Sequence, residues 1–161
     1  MNKKYLKIAY EYAQKFSQDP STQNGAILVN DKGEVLVKGA NLFPKGIILK
    51  KERLERPLKY CFITHAERNV IFNAARKGIK TKGLIMYCPW AACPDCARAI
   101  IQAGIKKVIT HKKMLDKTPD RWKDKTNIAQ TMFKEAGVEF EIWNGEIGNI
   151  EIKFNSKPFT P

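Results

Sequence analysis

At 161 residues, the chain is long enough for one domain with a substantial core and too short for two domains of ordinary size. No apolar stretch is long enough to span a bilayer, and the basic start of the chain lacks the apolar region and cleavage site of a signal peptide, so we expect a soluble cytoplasmic protein with no membrane partner. The 4 cysteines do not form a disulfide framework for a chain of this size, and the net charge of +13 leaves a polyanionic partner open.

The first third of the chain predicts an amphipathic helix followed by a β-hairpin. Apolar side chains recur at helical spacing over residues 3–16, which predicts a helix with its lysines facing solvent. Two apolar segments, 26–29 and 34–37, flank an Asn-Asp-Lys-Gly turn sequence and predict two paired strands. The charged segment 45–60 has no clear period, so it is predicted to be a surface loop with at most a short helical turn.

The middle of the chain alternates helices with strands. A helix capped by Thr64 is predicted to end at Gly78, and a second helix with Pro94 in its first position is predicted to end at Gly104. A buried strand is predicted after each helix, over 84–88 and 107–110. Strand, helix and strand with short connections favour parallel pairing.

The last part of the chain completes the sheet. A helix is predicted over 127–136 and a fifth strand over 138–143. A turn signal and a further alternation of apolar residues predict a C-terminal strand or hairpin extension over 144–161. We therefore expect one α/β domain over 1–161, with three layers, a mixed five-stranded sheet and helices on both faces.

The residues of a catalytic metal site stand at the starts of the two central helices. His65 and Glu67 belong to the first helix start, and Cys93 and Cys96 to the second. Imidazole and thiolate are preferred zinc ligands, and three protein ligands leave a fourth position for water, as is typical of catalytic zinc. Residues three apart share a helix face, so both cysteines can reach one ion. We predict Zn²⁺ bound by His65, Cys93 and Cys96, with Glu67 as the catalytic proton carrier.

Each half of this pattern also has a simpler interpretation. The sequence from Thr64 to Glu67 fits a capping box, in which Glu67 would only bond back to the helix start. The Cys93 and Cys96 pair could be a redox pair or half of a structural zinc site. The two halves together, with no second C-x-x-C in the chain, favour the catalytic interpretation.

The motif of histidine and glutamate followed by paired cysteines resembles that of the zinc-dependent cytidine and deoxycytidylate deaminases. The similarity extends from about Tyr5 to Trp143, and segments 19–26, 39–44 and 100–106 carry it beyond the zinc motif. The resemblance implies the three-layer fold of the cytidine-deaminase type. It also implies a hydrolase that deaminates dCMP to dUMP and releases ammonia.

The resemblance further implies substrate contacts and assembly. Asn41 would hold the sugar of the substrate, and the backbone near Ala26 and Ala66 would face the base. Relatives of this kind suggest a closed homo-oligomer, often a hexamer. The chain departs from the family pattern directly before the first cysteine, where Ala92 replaces the usual proline, and on both sides of the loop asparagine. These departures alter the rim of the pocket and leave the ligand spacing intact.

Two other functions remain open at this point. The same chemistry could act on another cytosine nucleotide such as dCTP, or on a base in RNA or single-stranded DNA. In a different class, the chain could be a non-catalytic zinc module that binds nucleic acid, with Glu67 only as a helix cap. Because lysines are spread along the chain without regularly interleaved aromatic residues, a small phosphate-bearing substrate is favoured over a polynucleotide. Candidate phosphate contacts are Lys45, Lys50, Lys51, Arg53, Arg56, Lys59, His111 and Trp122.

Overall fold

A computed structural model describes all of residues 1–161. The helices are α1 (Asn2–Phe16), α2 (Lys59–Phe62), α3 (Ala66–Arg76), α4 (Pro94–Gln102), α5 (Lys112–Asp116) and α6 (Asp120–Glu135), and a 3-10 turn spans Lys51–Leu54. The strands are β1 (Gly25–Val29), β2 (Val35–Ala40), β3 (Ile85–Tyr87), β4 (Lys107–His111), β5 (Glu139–Trp143), β6 (Ile152–Phe154) and β7 (Lys157–Phe159). None of the helices has the length and apolar character needed to cross a membrane.

Five of the strands form one mixed sheet in the order β2-β1-β3-β4-β5. β1 runs antiparallel to both of its neighbours, whereas β3, β4 and β5 run parallel to one another. The connection from β3 to β4 contains α4, so the start of α4 lies at the carboxyl end of β3. The predicted mixed five-stranded sheet is confirmed.

Helices cover both faces of this sheet and bury a separate core on each. On one face, α3, α4 and α6 pack on the sheet, and the core includes Leu28, Val70, Met86, Ile100 and Phe133. On the other face, α1 and the C-terminal segment pack on the sheet, and the core includes Leu6, Tyr10, Ile27, Ile109 and Ile152. This three-layer α/β arrangement confirms the predicted fold class.

Two glycines allow helices to lie directly on the strands. A Cβ atom at Gly39 would lie 2.5 Å from the backbone nitrogen of Val70, and one at Gly25 would lie 2.2 Å from the carbonyl oxygen of Ala9. No larger residue fits at either position without moving a helix. The start of α3, which carries His65 and Glu67, is therefore held at a fixed distance from the sheet.

The predicted cap of α3 is wrong. The backbone of Thr64 pairs with that of Leu42, with the Leu42 N–H donating to the Thr64 carbonyl at 3.1 Å and the Thr64 N–H donating back at 2.8 Å. His65 has an extended backbone and precedes the first helical residue. The capping box is also wrong, because the Thr64 N–H that Glu67 would accept is already donated to Leu42.

Two other boundaries differ from the sequence expectation. Helix α6 begins at Asp120, directly after Pro119, and not at residue 127. Its first two turns are mostly polar, so the apolar period that marks a helix is absent there. In the C-terminal segment, β6 and β7 form a separate two-stranded hairpin, and Ile147 and Ile150 are buried without belonging to a strand.

A polar network centred on His111 ties α1 to the end of β4. The hydroxyl of Tyr10 donates to Nδ1 of His111 at 2.7 Å, and Nε2 of His111 donates to the carbonyl of Gly145 at 2.9 Å. Burial lowers the pKa of His111, which favours this neutral form. We call these three residues the His111 network. With both ring nitrogens bonded, His111 has no nitrogen left for a phosphate.

Candidate active site

The starts of α3 and α4 bring one imidazole and two thiols together. Nδ1 of His65 lies 3.6 Å from Sγ of Cys93 and 3.6 Å from Sγ of Cys96. The three ligand atoms lie within 4.8 Å of one another, and no fourth histidine, cysteine or carboxylate belongs to the group. The three predicted metal ligands therefore meet at one point.

The spacing of this group fits a zinc ion. Tetrahedral zinc, with Zn–S near 2.3 Å and Zn–N near 2.0 Å, separates a nitrogen ligand from a sulfur ligand by about 3.5 Å. The separation in the structure is 3.6 Å for both sulfurs. With three ligands present, the group has the composition of an open catalytic site and not of a closed structural one.

Negative charge within the group falls on Cys93. A hydrogen bond from Cys96, opposed by burial and aided by His65, lowers the pKa of the Cys93 thiol to about 3. The same bond, together with burial, raises the pKa of Cys96. Burial acts to lower the pKa of His65, but the bond to Cys93 and the charge of Glu67 outweigh it and raise that pKa. The group thus holds protons that a bound cation would displace.

Glu67 lies in the first turn of α3 with its side chain almost fully buried. Its Oε2 atom has no hydrogen-bond partner. Burial raises the pKa of this carboxyl, partly offset by the positive charge of His65. A buried carboxyl with one free oxygen, beside but outside the ligand group, is arranged to accept and return a proton.

Asn41 links the loop after β2 to the start of α3. Its Nδ2 donates to the carbonyl of Thr22 at 2.9 Å, and its Oδ1 accepts from the backbone N–H of Ala66 at 2.9 Å. Asn41 lines the cavity above the ligand group. Ala26 and Ala66 are fully buried and are not among the residues that line it.

Asn24 also lines this cavity, directly before β1. Its Nδ2 donates to Sγ of Cys88 at 3.3 Å, whereas its Oδ1 has no partner. The Cys88 thiol is buried, and burial raises its pKa well above the usual range. Cys61, on the short helix α2, is exposed.

Aromatic rings form the walls of the cavity. Measured between ring centroids, Trp122 lies 6.2 Å from His65, 5.9 Å from Tyr60 and 6.1 Å from Trp90. Phe154, from β6, packs edge-on against Trp90 at 5.1 Å. The C-terminal hairpin therefore contributes a side chain to the cavity wall, and planar apolar walls suit a flat aromatic base.

Positive side chains stand at the rim. Arg56, Lys59 and Arg121 line the cavity. Lys59 is buried and bonds both carboxylate oxygens of Asp19, at 2.8 and 2.9 Å. Its charge is already paired, so the two arginines are the rim cations that could meet an anionic ligand.

Sequence reasoning found part of this lining and missed part. Arg56, Lys59 and Trp122, which were candidate phosphate contacts, do line the cavity. The other candidates, Lys45, Lys50, Lys51, Arg53 and His111, do not. The sequence alone did not single out Asn24, Arg121 or Phe154. Arg121 could have been found because it is adjacent in sequence to the candidate Trp122. Phe154 could not, because the apolar alternation that contains it also fits an ordinary strand.

Comparison with known proteins agrees with the geometry of this site. Residues 1–112 match the family model described as the cytidine and deoxycytidylate deaminase zinc-binding region. The deoxycytidylate deaminase of Mus musculus is 37% identical over 158 residues, which cover 94% of this chain and 84% of the relative. The deoxycytidylate deaminase of Homo sapiens is 35% identical over the same length, with the same coverage.

A solved structure supports the same assignment. The dCMP deaminase of cyanophage S-TIM5, in complex with dCMP and dUMP, superposes with a TM-score of 0.67 and 27% sequence identity, covering 87% of this chain and 94% of that one. Fold and site together define a zinc-binding deaminase. The chain belongs to the cytidine and deoxycytidylate deaminase family.

Proposed function

We propose that this protein catalyses the hydrolytic deamination of dCMP to dUMP with release of ammonia. The Mus musculus and Homo sapiens relatives, which each match 94% of the chain, are named deoxycytidylate deaminases, and the cyanophage enzyme was solved with dCMP and dUMP. The observation that carries the proposal is the buried Glu67, with one free oxygen, beside the histidine and cysteine ligand group in an aromatic cavity.

In this proposal His65, Cys93 and Cys96 hold a zinc ion, which when bound supplies a Lewis acid that lowers the pKa of water to near neutrality. Glu67 takes a proton from the attacking water at Oε2 and delivers it to N3 of the cytosine ring. The oxygen of that water adds to C4. Glu67 then takes the remaining proton from the oxygen on C4 and transfers it to the amino group. The bond from C4 to nitrogen breaks, the C4 carbonyl forms, and one water and one dCMP become dUMP and ammonia.

We propose that Asn41 holds the sugar. Its amide already makes two hydrogen bonds, and one N–H and one lone pair remain free to meet a hydroxyl at the cavity surface. Ala66 supports this role from behind, since its N–H fixes the orientation of the amide. The backbone of Ala26 lies on β1 beneath the base in the same proposal.

The rim supplies charge for the 5′-phosphate. Arg56 is braced by bonds to Ser21 at 2.8 Å and Tyr60 at 3.0 Å, and Arg121 is braced by a bond to Asn155 at 2.8 Å. Braced guanidinium groups lose less freedom when they bind an anion, and their planar fork matches a phosphate. We assign Arg56 and Arg121 to the phosphate of dCMP.

We further propose that residues 1–161 act as one deaminase domain, with 144–161 as an extension that closes the cavity through Phe154. By the family resemblance, the active form is a homo-oligomer such as a hexamer, working in the cytoplasm on free nucleotides. Light scattering coupled to gel filtration tests the assembly, since a hexamer has six times the chain mass of 18.4 kDa.

A substrate panel tests the proposed reaction. Purified protein is given dCMP, dCTP, cytidine and a short cytosine-containing single strand, and both uracil product and ammonia are measured. We expect dCMP to have the highest kcat/KM. Absence of uracil formation from every cytosine compound would refute a deaminase function.

One feature favours polynucleotide deamination as a second candidate. A cleft next to the cavity shares Trp122 and Arg121 with it and adds Arg68 and Lys125. Such a cleft could take a flanking nucleotide by charge and stacking. If the single strand is the best substrate, and its kcat/KM falls steeply with salt, this second function replaces the first.

A further inference from the structure

The amide of Asn24 is an unusual feature of the cavity wall. The residue is 3% exposed, it lines the cavity, and its Oδ1 atom accepts no hydrogen bond. Buried polar atoms are nearly always paired, because an unpaired one loses its bonds to water without replacement. A buried acceptor that faces a ligand cavity therefore indicates a donor on the ligand.

Contacts on the other side fix the orientation of this amide. Nδ2 donates to Sγ of Cys88 at 3.3 Å. The backbone is held as well, since the carbonyl of Asn24 accepts from the N–H of Asn41 at 3.1 Å. Because Nδ2 is bonded to Cys88, which does not line the cavity, the oxygen of the amide is the atom left for a ligand.

A second unpaired acceptor lines the same cavity. Oε2 of Glu67 is also buried without a partner. Asn24 and Glu67 both line this cavity, so both unpaired oxygens belong to residues of its wall. An amino group carries two N–H donors and can satisfy both acceptors at once. A carbonyl oxygen in the same place can satisfy neither.

We propose that Asn24 is a specificity-determining residue whose Oδ1 accepts a hydrogen bond from the exocyclic amino group of the base before that group leaves. The inference rests on the proposed function and adds to it a means of telling substrate from product. In dCMP the C4 substituent is a donor, whereas in dUMP it is a carbonyl acceptor that faces the acceptor of Asn24. Asn24 therefore favours binding of the substrate and release of the product.

Replacing Asn24 by valine or alanine tests this role. We expect kcat/KM for dCMP to fall about 10- to 100-fold, since one buried hydrogen bond to the substrate is lost. The inhibition constant of dUMP should stay the same or decrease, because an unfavourable neighbour is removed. A purely structural defect would weaken substrate and product alike.

A methylated substrate gives a second readout. In N4-methyl-dCMP one amino hydrogen is replaced by a methyl group, and hydrolysis releases methylamine. Wild-type protein should prefer dCMP over this analogue by at least about tenfold, and the preference should shrink in Asn24→Val, which has no acceptor to lose. Cys88→Ala provides a related variant, because it frees the amide to turn and should shrink the preference partially.

Folding of the variants is checked by thermal midpoint and zinc content. Valine replaces a buried polar side chain with an apolar one, so we expect the midpoint of Asn24→Val to equal or exceed that of wild type. If neither Asn24 variant folds, the ratio measured with Cys88→Ala decides the question.

The possible results separate the two proposals. Wild-type protein that deaminates no cytosine nucleotide refutes the proposed function and this inference with it. The wild-type protein could instead be active while the variants show unchanged kcat/KM for dCMP, unchanged inhibition by dUMP and an unchanged preference for dCMP over N4-methyl-dCMP. That result refutes the inference and leaves the proposed function standing. Weaker dUMP binding in Asn24→Val would also overturn it, because the amide would then be acting as a donor.

Discussion

The two histidines of the chain sit in polar clusters of opposite character. In the His111 network, every polar atom that the ring offers is bonded within the protein. Around His65, by contrast, two sulfurs approach Nδ1 without closing a coordination sphere, and Oε2 of Glu67 and Oδ1 of Asn24 have no partner. The His111 network is complete without a ligand. The cluster of His65, Cys93, Cys96, Glu67 and Asn24, which we call the open cluster, is not.

The polar atoms of His111 are used to stabilise the fold, whereas Glu67 and Asn24 each keep a polar atom that a ligand could bond. Both histidines are at the end of a strand or the start of a helix, and both lie near aromatic rings. Burying unpaired polar atoms costs free energy, so a cluster that keeps them is compensated by something it binds. Paired clusters should therefore respond to mutation in stability, and the unpaired cluster in activity.

The largest effect is expected at Glu67. Glu67→Gln keeps the shape of the side chain and removes its ability to carry a proton, so kcat for dCMP should fall by about 10³-fold or more. Zinc content should be unchanged, because Glu67 is outside the ligand group. Steady-state kinetics and metal analysis on the same sample measure both quantities, and turnover close to wild type would remove Glu67 from the mechanism.

A large effect on stability is expected at Lys59, whose charge is already paired with that of Asp19 inside the protein. The ion pair with Asp19 is buried, so Lys59→Met leaves an unpaired carboxylate and should lower the free energy of unfolding by about 3–5 kcal/mol. Urea unfolding measures this value. The double variant with Asp19→Asn should recover part of it, since no lone charge remains. Unchanged stability with a raised KM would assign Lys59 to the open cluster instead.

A moderate effect on binding is expected at Arg121. If Arg121 binds the phosphate as we propose, Arg121→Gln should raise KM for dCMP about tenfold with little change in kcat. Activity on deoxycytidine, which has no phosphate, should not change. Arg98→Gln, on the exposed face of α4, is a matched control with no expected effect. Equal losses on nucleotide and nucleoside would contradict the phosphate assignment.

The smallest effect is expected in the pH dependence of stability through His111. Because burial lowers its folded-state pKa below 6.5, the unfolded chain binds a proton that the folded protein does not in the interval below that value. Stability should therefore fall as the pH decreases from about 7 through the unfolded pKa and level off below the folded pKa.

Denaturant unfolding over this pH range, with His111→Gln as the comparison, isolates the effect. The variant should be less stable at every pH, since Tyr10 and Gly145 lose their partner, and it should lack the decrease contributed by the histidine. An identical pH profile in both proteins would show that His111 does not titrate as proposed.

The sequence predicted the sheet and the meeting of the three candidate metal ligands because both depend on local patterns. Apolar periodicity marked the strands, and the spacing of Cys93 and Cys96 at a helix start required only helix geometry. The start of α6 was missed because its first turns are polar and held by tertiary contacts such as those of Trp122. Periodicity does not report such contacts.

Residues of the cavity wall were harder to predict for a different reason. Phe154 reaches the cavity from a hairpin far along the chain, and Asn24 is informative only because its oxygen is unpaired in three dimensions. The segment 45–60 was predicted to be a surface loop with at most a short helical turn; it contains the 3-10 turn Lys51–Leu54, but also the start of α2 and the buried Lys59. Nothing in its composition distinguished Arg56, which lines the cavity, from Arg53, which does not. Whether a buried polar atom has a hydrogen-bond partner depends on the folded structure, so the sequence alone does not reveal it.

Metal analysis of the purified protein, combined with dCMP deamination before and after chelation, tests the open cluster most directly. We predict one zinc per chain, loss of zinc and activity together on chelation, recovery of both when zinc is added, and low zinc content in Cys93→Ser and Cys96→Ser. Metal-free protein with undiminished deaminase activity would contradict the assignment of His65, Cys93 and Cys96 as a catalytic zinc site.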